Sequence, residues 1–465
     1  MKKIINQIEL INSWDNRILF VITFILCVIP MVFAIFKAPV DVDSGYYLSM
    51  VERINDGHVL YKDIIPGYPP LVFYIFLILK KIFSIGINYE FFLTIHFIFQ
   101  IVSAYFVYKI SELYINNKKL SLCAVLLFVL TSYWNQGNVV LLETPSLMFG
   151  LIACYYTLKY SGKIFIYLWI GVLASLAFLS KQYGLGFSGL IMYLCLFNKQ
   201  RWQQMGLFFA GFLLPVLCCY FLFGKPFLID LTGNGYGYYS ELSLKWPVIK
   251  LLHFLKIVPC LILGFPLLVF IVRDKIIFRN TSFLILGIGG FSLQFLFAPW
   301  AHYYLYMIPF AAILSFYIFS LMKNRILKGV YGVFLAGTML FAMYSTYYQM
   351  VYKNINSNAK EKQYALANRL KNAIQCNTKT LYIADECDYY LYYLTNLLPP
   401  NLDYSFGVGI SRDRHLEQMK SADYVFKLKE EYIDYDFGLN TNEVHKFLLS
   451  KPNEEFAEGW LYKIK

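Results

Sequence analysis

The sequence predicts an all-α polytopic membrane domain over residues 1–350, followed by a small soluble α/β domain over residues 351–465. Three observations predict it. The chain is 58% hydrophobic, 19% aromatic and only 15% charged, too apolar for a globule with a polar surface. Apolar runs long enough to cross the hydrocarbon core, about 20 residues as a helix, recur through the first 350 positions. Beyond Met350 the runs shorten, and 16 of the 29 acidic residues lie there.

Taken in order, the spans are expected near 17–37, 91–114, 119–138, 146–161, 164–181, 185–198, 204–224, 249–273, 281–298, 303–322 and 327–347. The run 71–86 is short and carries Lys80 and Lys81. If it stays at the surface, Lys2, Lys3 and Arg17, Lys109, Lys118 and Lys119, Lys159 and Lys163, Lys199 and Arg201, Arg273, Lys275 and Arg279, and Lys323, Arg325 and Lys328 share one side. The positive-inside rule makes that side cytoplasmic. Residues 71–86 are therefore expected as an interfacial or re-entrant helix after the stiff Pro66-Gly67-Tyr68-Pro69-Pro70 turn, leaving eleven spans, the N-terminus inside and the C-terminus outside.

The formal charge of +12 then reflects topology, an anchor against anionic inner-leaflet lipids rather than a nucleic-acid surface. The first apolar run lacks a small-residue cleavage site and is expected to remain as a signal anchor. Cys27, Cys123, Cys154, Cys195, Cys218, Cys219 and Cys260 fall in spans as small apolar side chains, without metal-binding spacing. Cys376 and Cys387 lie in the outer tail, where a disulfide and two free thiols are both open. In that tail, 366–374 has helical spacing, 379–385, 423–428 and 460–465 read as strands, and 388–397 reads as a helix before Pro399-Pro400. It holds no nucleotide-binding glycine loop and no nucleophile motif.

The acids locate the chemistry. Between the first span and residue 350, Asp41, Asp43, Glu52, Asp56, Asp63, Glu90, Glu143, Asp230 and Glu241 face outward on this topology, and only Glu112 and Asp274 face inward. None sits mid-membrane, where ion-coupled transporters keep ionisable groups. In the first outer loop, Tyr47, Met50, Val51 and Ile54 share one face of a surface helix, Ser49, Glu52, Arg53, Asn55 and Asp56 the other, and Gly57 stops it. Asp43 or Ser44 as a plain N-cap is the bland alternative. Asp41-x-Asp43 followed by Tyr46 and Tyr47, Tyr61, Asp63 and the proline turn is more than capping requires.

The pattern D-x-D-x-G-Y-Y-L, then G-x-x-L-Y-x-D, then P-P-L resembles the first extracytoplasmic loop of GT-C membrane glycosyltransferases, the superfamily of protein O-mannosyltransferases and the lipid A aminoarabinose transferase. The resemblance implies a GT-C-like fold in a bacterial cytoplasmic membrane. It implies an enzyme that moves a sugar from a polyprenyl-phosphate carrier to a lipid, glycan or protein acceptor at the outer face, with Asp43 as the essential acid. Many relatives carry Glu directly after that Asp, where this chain has Ser44.

Three later stretches fit. Glu143 precedes a helix opened by Thr144 and Pro145, where favourable placement at a helix dipole is an equal alternative. Lys181 and Gln182 fall at an outer end, against the inside bias, with a snorkelling Lys as the competitor. His302, Tyr303 and Tyr304 occupy another outer corner; an aromatic belt explains the tyrosines but not the histidine. The loop 225–248, with Asp230, Asn234 and Tyr236 to Tyr239, could cover the site.

A sugar on a polyprenyl phosphate already has a good leaving group, so the site needs a base for the acceptor and cations for the phosphate. Asp43 is the expected base. Asp41 would orient it or join it on a divalent metal ion, Glu143 would position the acceptor, Lys181 and His302 would meet the phosphate, and Tyr46, Tyr47, Tyr61, Asp63, Gln182, Tyr303 and Tyr304 would line the substrate. Attack opposite the phosphate would invert the anomeric centre. The rivals are a polyprenyl-linked glycan polymerase or ligase, which would carry a large late outer loop with clustered Arg, and a lipid-glycan transporter, which would need a polar path across the membrane.

Overall fold

The computed structural model describes residues 16–64, 66–86, 88–232, 245–271, 275–296, 300–374, 379–384, 390–400, 412–429 and 447–465. Cys376, Cys387, Asp274, Glu241, Asn234 and Tyr236 to Tyr239 lie outside the described residues, and with them the disulfide question and most of the expected covering loop.

The membrane part is helical. α1 (Asn16–Lys37) leads into α2 (Val42–Asn55) and α3 (Leu71–Ile82) of the first loop. Then come α4 (Tyr89–Ile115), α5 (Lys118–Ser132), α6 (Glu143–Lys159), α7 (Ile166–Ser180), α8 (Leu185–Cys195) and α9 (Arg201–Phe223). After them follow α10 (Lys225–Thr232), α11 (Lys245–Ile257), α12 (Cys260–Ile271), α13 (Lys275–Ser292), α14 (Ile308–Leu321) and α15 (Arg325–Tyr347). Among the described residues six helices are long and apolar enough to cross a membrane, and a seventh if α11 and α12 count as one bent span. This is a multi-pass membrane protein.

Each of the eleven expected spans coincides with a helix or helix pair, but several of those helices are too short to cross alone. The expected span 249–273 is a break of 108°. Pro259 lacks an N–H and its ring blocks the carbonyl a turn earlier, so α11 ends at Ile257 and the chain restarts at Cys260. Residues 71–82 form a 12-residue helix, too short to span.

Close helix contacts follow from small side chains. α7 and α9 cross at Gly171 and Gly211, where an added Cβ on Gly211 would stand 1.9 Å from Leu168 O and one on Gly171 2.1 Å from Phe208 O. Backbones meet there as in other apolar helix crossings. Phe187, Phe291, Tyr306 and Phe310 form an aromatic stack that ties α8, α13 and α14 to the 301–306 segment, with Phe291 and Tyr306 rings 5.0 Å apart.

The C-terminal part is a four-stranded mixed sheet with helices. After α16 (Ala359–Ile374) come β1 (Leu381–Ile383), α17 (Tyr390–Thr395), α18 (Arg412–Ser421), β2 (Tyr424–Leu428), β3 (Asn453–Glu455) and β4 (Gly459–Lys463). The order is β1-β2-β4-β3; β1 pairs parallel with β2, and β4 pairs antiparallel with both β2 and β3. This part rests on the first loop. α17 packs along α2, and Arg53 donates to the Asn396 carbonyl and side chain. Part of the polar face of α2 is therefore covered: Ser49, Glu52 and Arg53 are buried while Asn55 and Asp56 stay exposed, and Glu52 pairs with Lys80 of α3.

Candidate active site

Asp41 caps α2. Its carboxylate accepts the Asp43 N–H at 3.0 Å, so capping falls to Asp41 and leaves the Asp43 side chain unspent. Gly57 takes φ +99° just past the helix end, as a stop residue should. Ser44, at the position where the resemblance expects Glu, is fully buried and engages the backbone of one residue: its Oγ accepts the Val140 N–H at 2.9 Å and donates to the Val140 carbonyl at 3.3 Å. That contact fixes the Asp43 turn to the segment running into Glu143, the first residue of α6.

Four predicted residues converge. His302 Nδ1 lies 3.7 Å from Asp43 Oδ2 and its Nε2 3.6 Å from Glu143 Oε1. Lys181 Nζ lies 3.0 Å from Glu143 Oε1. Glu143 is fully buried, whereas the Asp43 side chain is 34% exposed. Of the two carboxylates, the one open to solvent is thus Asp43. Its pKa is raised to about 6: desolvation of the half-buried carboxylate pushes it up, His302 pulls it down, Asp41 and Glu143 push it up, and Lys181 pulls it down.

Lys181 is buried, so it does not snorkel. Its ammonium sits 4.0 Å from the centre of the Tyr68 ring and 5.9 Å from that of Tyr47. The proline turn supplies Tyr68, and three residues expected to line substrate bond to that turn. Tyr46 donates to Pro66 O, Gln182 to Gly67 O and Tyr61 to Tyr68 O. Gly67 takes φ +66°, a conformation that glycine adopts without cost. Asp63 accepts the Val59 N–H within its own loop. Tyr303 packs against His302 and donates to the Tyr183 hydroxyl. Tyr304 turns toward α11, bonding His253 and donating to Lys250 O.

Gln136 was not apparent from sequence. Its Oε1 lies 3.1 Å from His302 Nδ1, and it takes φ +65° in the turn that ends α5, an uncommon conformation for a residue with a Cβ. A polar Asn135-Gln136-Gly137 at the end of an apolar run is the signal that marks it. Behind it, His96 of α4 contacts Gly137 O at 3.1 Å and Thr144 Oγ1 at 3.4 Å, bracing the same turn.

A divalent ion fits this set poorly. The Asp41 carboxylate is taken by the backbone N–H groups that open α2, and no group of three or more His, Cys, Asp or Glu side chains among the described residues could hold a metal. The arrangement offers instead one accessible carboxylate beside a histidine, over a buried ion pair.

A family model described as dolichyl-phosphate-mannose-protein mannosyltransferase matches residues 68–222, a stretch that includes Glu143, Lys181 and Gln182. The crystal structure of ArnT from Cupriavidus metallidurans bound to undecaprenyl phosphate is similar over 96% of this chain and 97% of that one, with a TM-score of 0.61 and 11% identity. The chain has the fold of that ArnT. The apo structure of the same ArnT gives the same TM-score of 0.61, over 96% of this chain and 98% of that one, at 11% identity. An oligosaccharyltransferase from Archaeoglobus fulgidus is more distant, at a TM-score of 0.48 and 12% identity over 87% of this chain and 69% of that one. No curated protein matches the sequence significantly. On this fold the charged cluster draws on the first loop, the start of α6, the end of α7 and the 301–306 segment.

Proposed function

We propose that this protein is an inverting glycosyltransferase that moves a sugar from a polyprenyl-phosphate carrier to a lipid, glycan or protein acceptor at the outer face of a bacterial cytoplasmic membrane. The single observation that carries it is Asp43: an accessible carboxylate beside His302, in an otherwise buried charged cluster on a GT-C fold.

In this reading the ionised Asp43 takes the proton from the acceptor hydroxyl or amine as its heteroatom attacks the anomeric carbon. The bond from that carbon to the phosphate oxygen breaks, and the phosphate leaves on its carrier with the electron pair. Lys181 supplies positive potential for the departing phosphate and His302 an N–H donor, both worth more in a partly dry site than in water. Glu143 holds Lys181 in place and keeps the site's net charge low before substrate arrives. The ArnT crystal with undecaprenyl phosphate supports a lipid-borne phosphate as the kind of ligand this fold takes. No step needs a metal ion, and Asp41 acts by shaping the turn that presents Asp43.

The test is sugar transfer by the purified protein from synthetic polyprenyl-phosphate sugars, with retention of the sugar on the carrier in every acceptor set as the outcome against it.

A further inference from the structure

The connection 38–41 between α1 and α2 has no helix or strand of its own to pair its backbone, yet Val40 is 2% exposed. Its peptide groups are both met by one side chain, 323 residues further along the chain. The Val40 N–H donates to Gln363 Oε1 at 2.8 Å, and Gln363 Nε2 donates to the Val40 carbonyl at 3.0 Å. A primary amide is suited to this, because it carries a donor and an acceptor side by side, the same pair a neighbouring strand would offer. The next residue is the cap Asp41, and Asp43 follows in the first turn.

A second contact holds the same turn from the other side, through Ser44 and the Val140 peptide. The segment carrying Asp43 is thus clamped between the α16 helix of the C-terminal part and the run into Glu143. Other contacts of α16 nearby are of a different kind. Lys360 reaches Phe36 O at 3.1 Å and Glu90 at 2.6 Å, and Lys37 pairs with Glu361 at 3.9 Å on the surface. They attach the C-terminal part without touching the peptide next to the cap.

We infer that Gln363 is a positioning residue for the reaction: through its two bonds to Val40, the C-terminal domain sets where Asp43 stands relative to His302 and the acceptor. The inference rests on the reading of Asp43 as the base. A displacement of about 1 Å at a reacting group can cost about 100-fold in rate, so a partial loosening is expected to cost about tenfold.

The experiment compares four variants of the full chain in detergent with a synthetic polyprenyl-phosphate sugar. Gln363→Met, which keeps the length and removes both bonds, should lower kcat about tenfold with donor KM within about twofold of the parent, and should raise amide exchange in the 36–44 peptide. Lys360→Met, which weakens docking but leaves Val40 alone, should keep kcat within about twofold. Gln363→Glu, which keeps the bond from the Val40 N–H, should fall between them and carries the test should Gln363→Met fail to fold. Equal losses in Gln363→Met and Lys360→Met would mean that the domain is only held on by these contacts, and a normal kcat in Gln363→Met would equally overturn the inference. Asp43→Asn, run alongside, separates the two levels: activity in that variant would remove the base, whatever Gln363 does.

Discussion

Lys181 Nζ stands 3.0 Å from Glu143 Oε1, with both side chains buried at the junction of two helices. Removing one member of such a pair strands the other charge. Lys181→Met should therefore destabilise the fold by about 3–5 kcal/mol, and Lys181→Met with Glu143→Gln should recover most of that loss while remaining poor in transfer. Unfolding of the single and double variants in detergent checks it. Additive losses would mean the two charges do not depend on one another.

The acid limb of the rate profile should belong to Asp43. A carboxylic acid raised to about 6 is ionised, and able to take a proton, above that pH. Transfer should be level above pH 6 and fall about tenfold per unit below it. The charged or titratable groups beside Asp43 are His302, Asp41, Glu143 and Lys181, and His302 is the strongest of those that lower its pKa. His302→Gln should then move the limb upward as well as slow the reaction. A limb that stays in place would assign the titration to another group.

Gln136 separates strain from function. A left-handed residue with a Cβ costs about 1–2 kcal/mol, and Gln136 at φ +65° bears that cost while contacting His302. Gln136→Gly should hold stability or gain about 1 kcal/mol, yet lose about tenfold in transfer, since a neutral hydrogen bond is worth about 0.5–1.5 kcal/mol. Melting and kcat measured on one preparation decide it; unchanged kcat would leave Gln136 a turn residue only.

Ser44 makes a prediction of the opposite kind. Ser44→Ala leaves the buried Val140 peptide without its partner, at about 1–3 kcal/mol. It should lower stability and slow transfer together, and loss of one without the other would deny that the two segments move as one.

Much of this was legible because long apolar runs and acid density are local signals. Helices lie where hydropathy puts them, the first loop collects the acids, Glu143, Lys181 and His302 read as polar residues at outer helix ends, and Asp43 stands out through the first-loop pattern it shares with GT-C enzymes. Their pairing was not legible, because Glu143 and Lys181 lie on different helices and sequence spacing says nothing of which ends meet. Tyr46, Tyr61 and Gln182 have the residue types of a sugar site, yet their donors go to turn carbonyls that only the folded loop brings near. Arg53 on the polar face of α2 reads as solvated until the C-terminal part covers it, while Asn55 and Asp56 on that face do stay exposed. Pro259 was visible, but a proline inside an apolar run is compatible with a kink as well as the 108° break seen here.

Whether Asp43 is the base is decided by single-turnover transfer from a synthetic polyprenyl-phosphate sugar by the parent and by Asp43→Asn. Asparagine keeps the size and the start of α2, whose cap is Asp41, so the variant should fold normally. A positioned base contributes about 10²–10⁴-fold, so Asp43→Asn should lose transfer in that range with donor binding retained. Transfer by Asp43→Asn within a few-fold of the parent would contradict it.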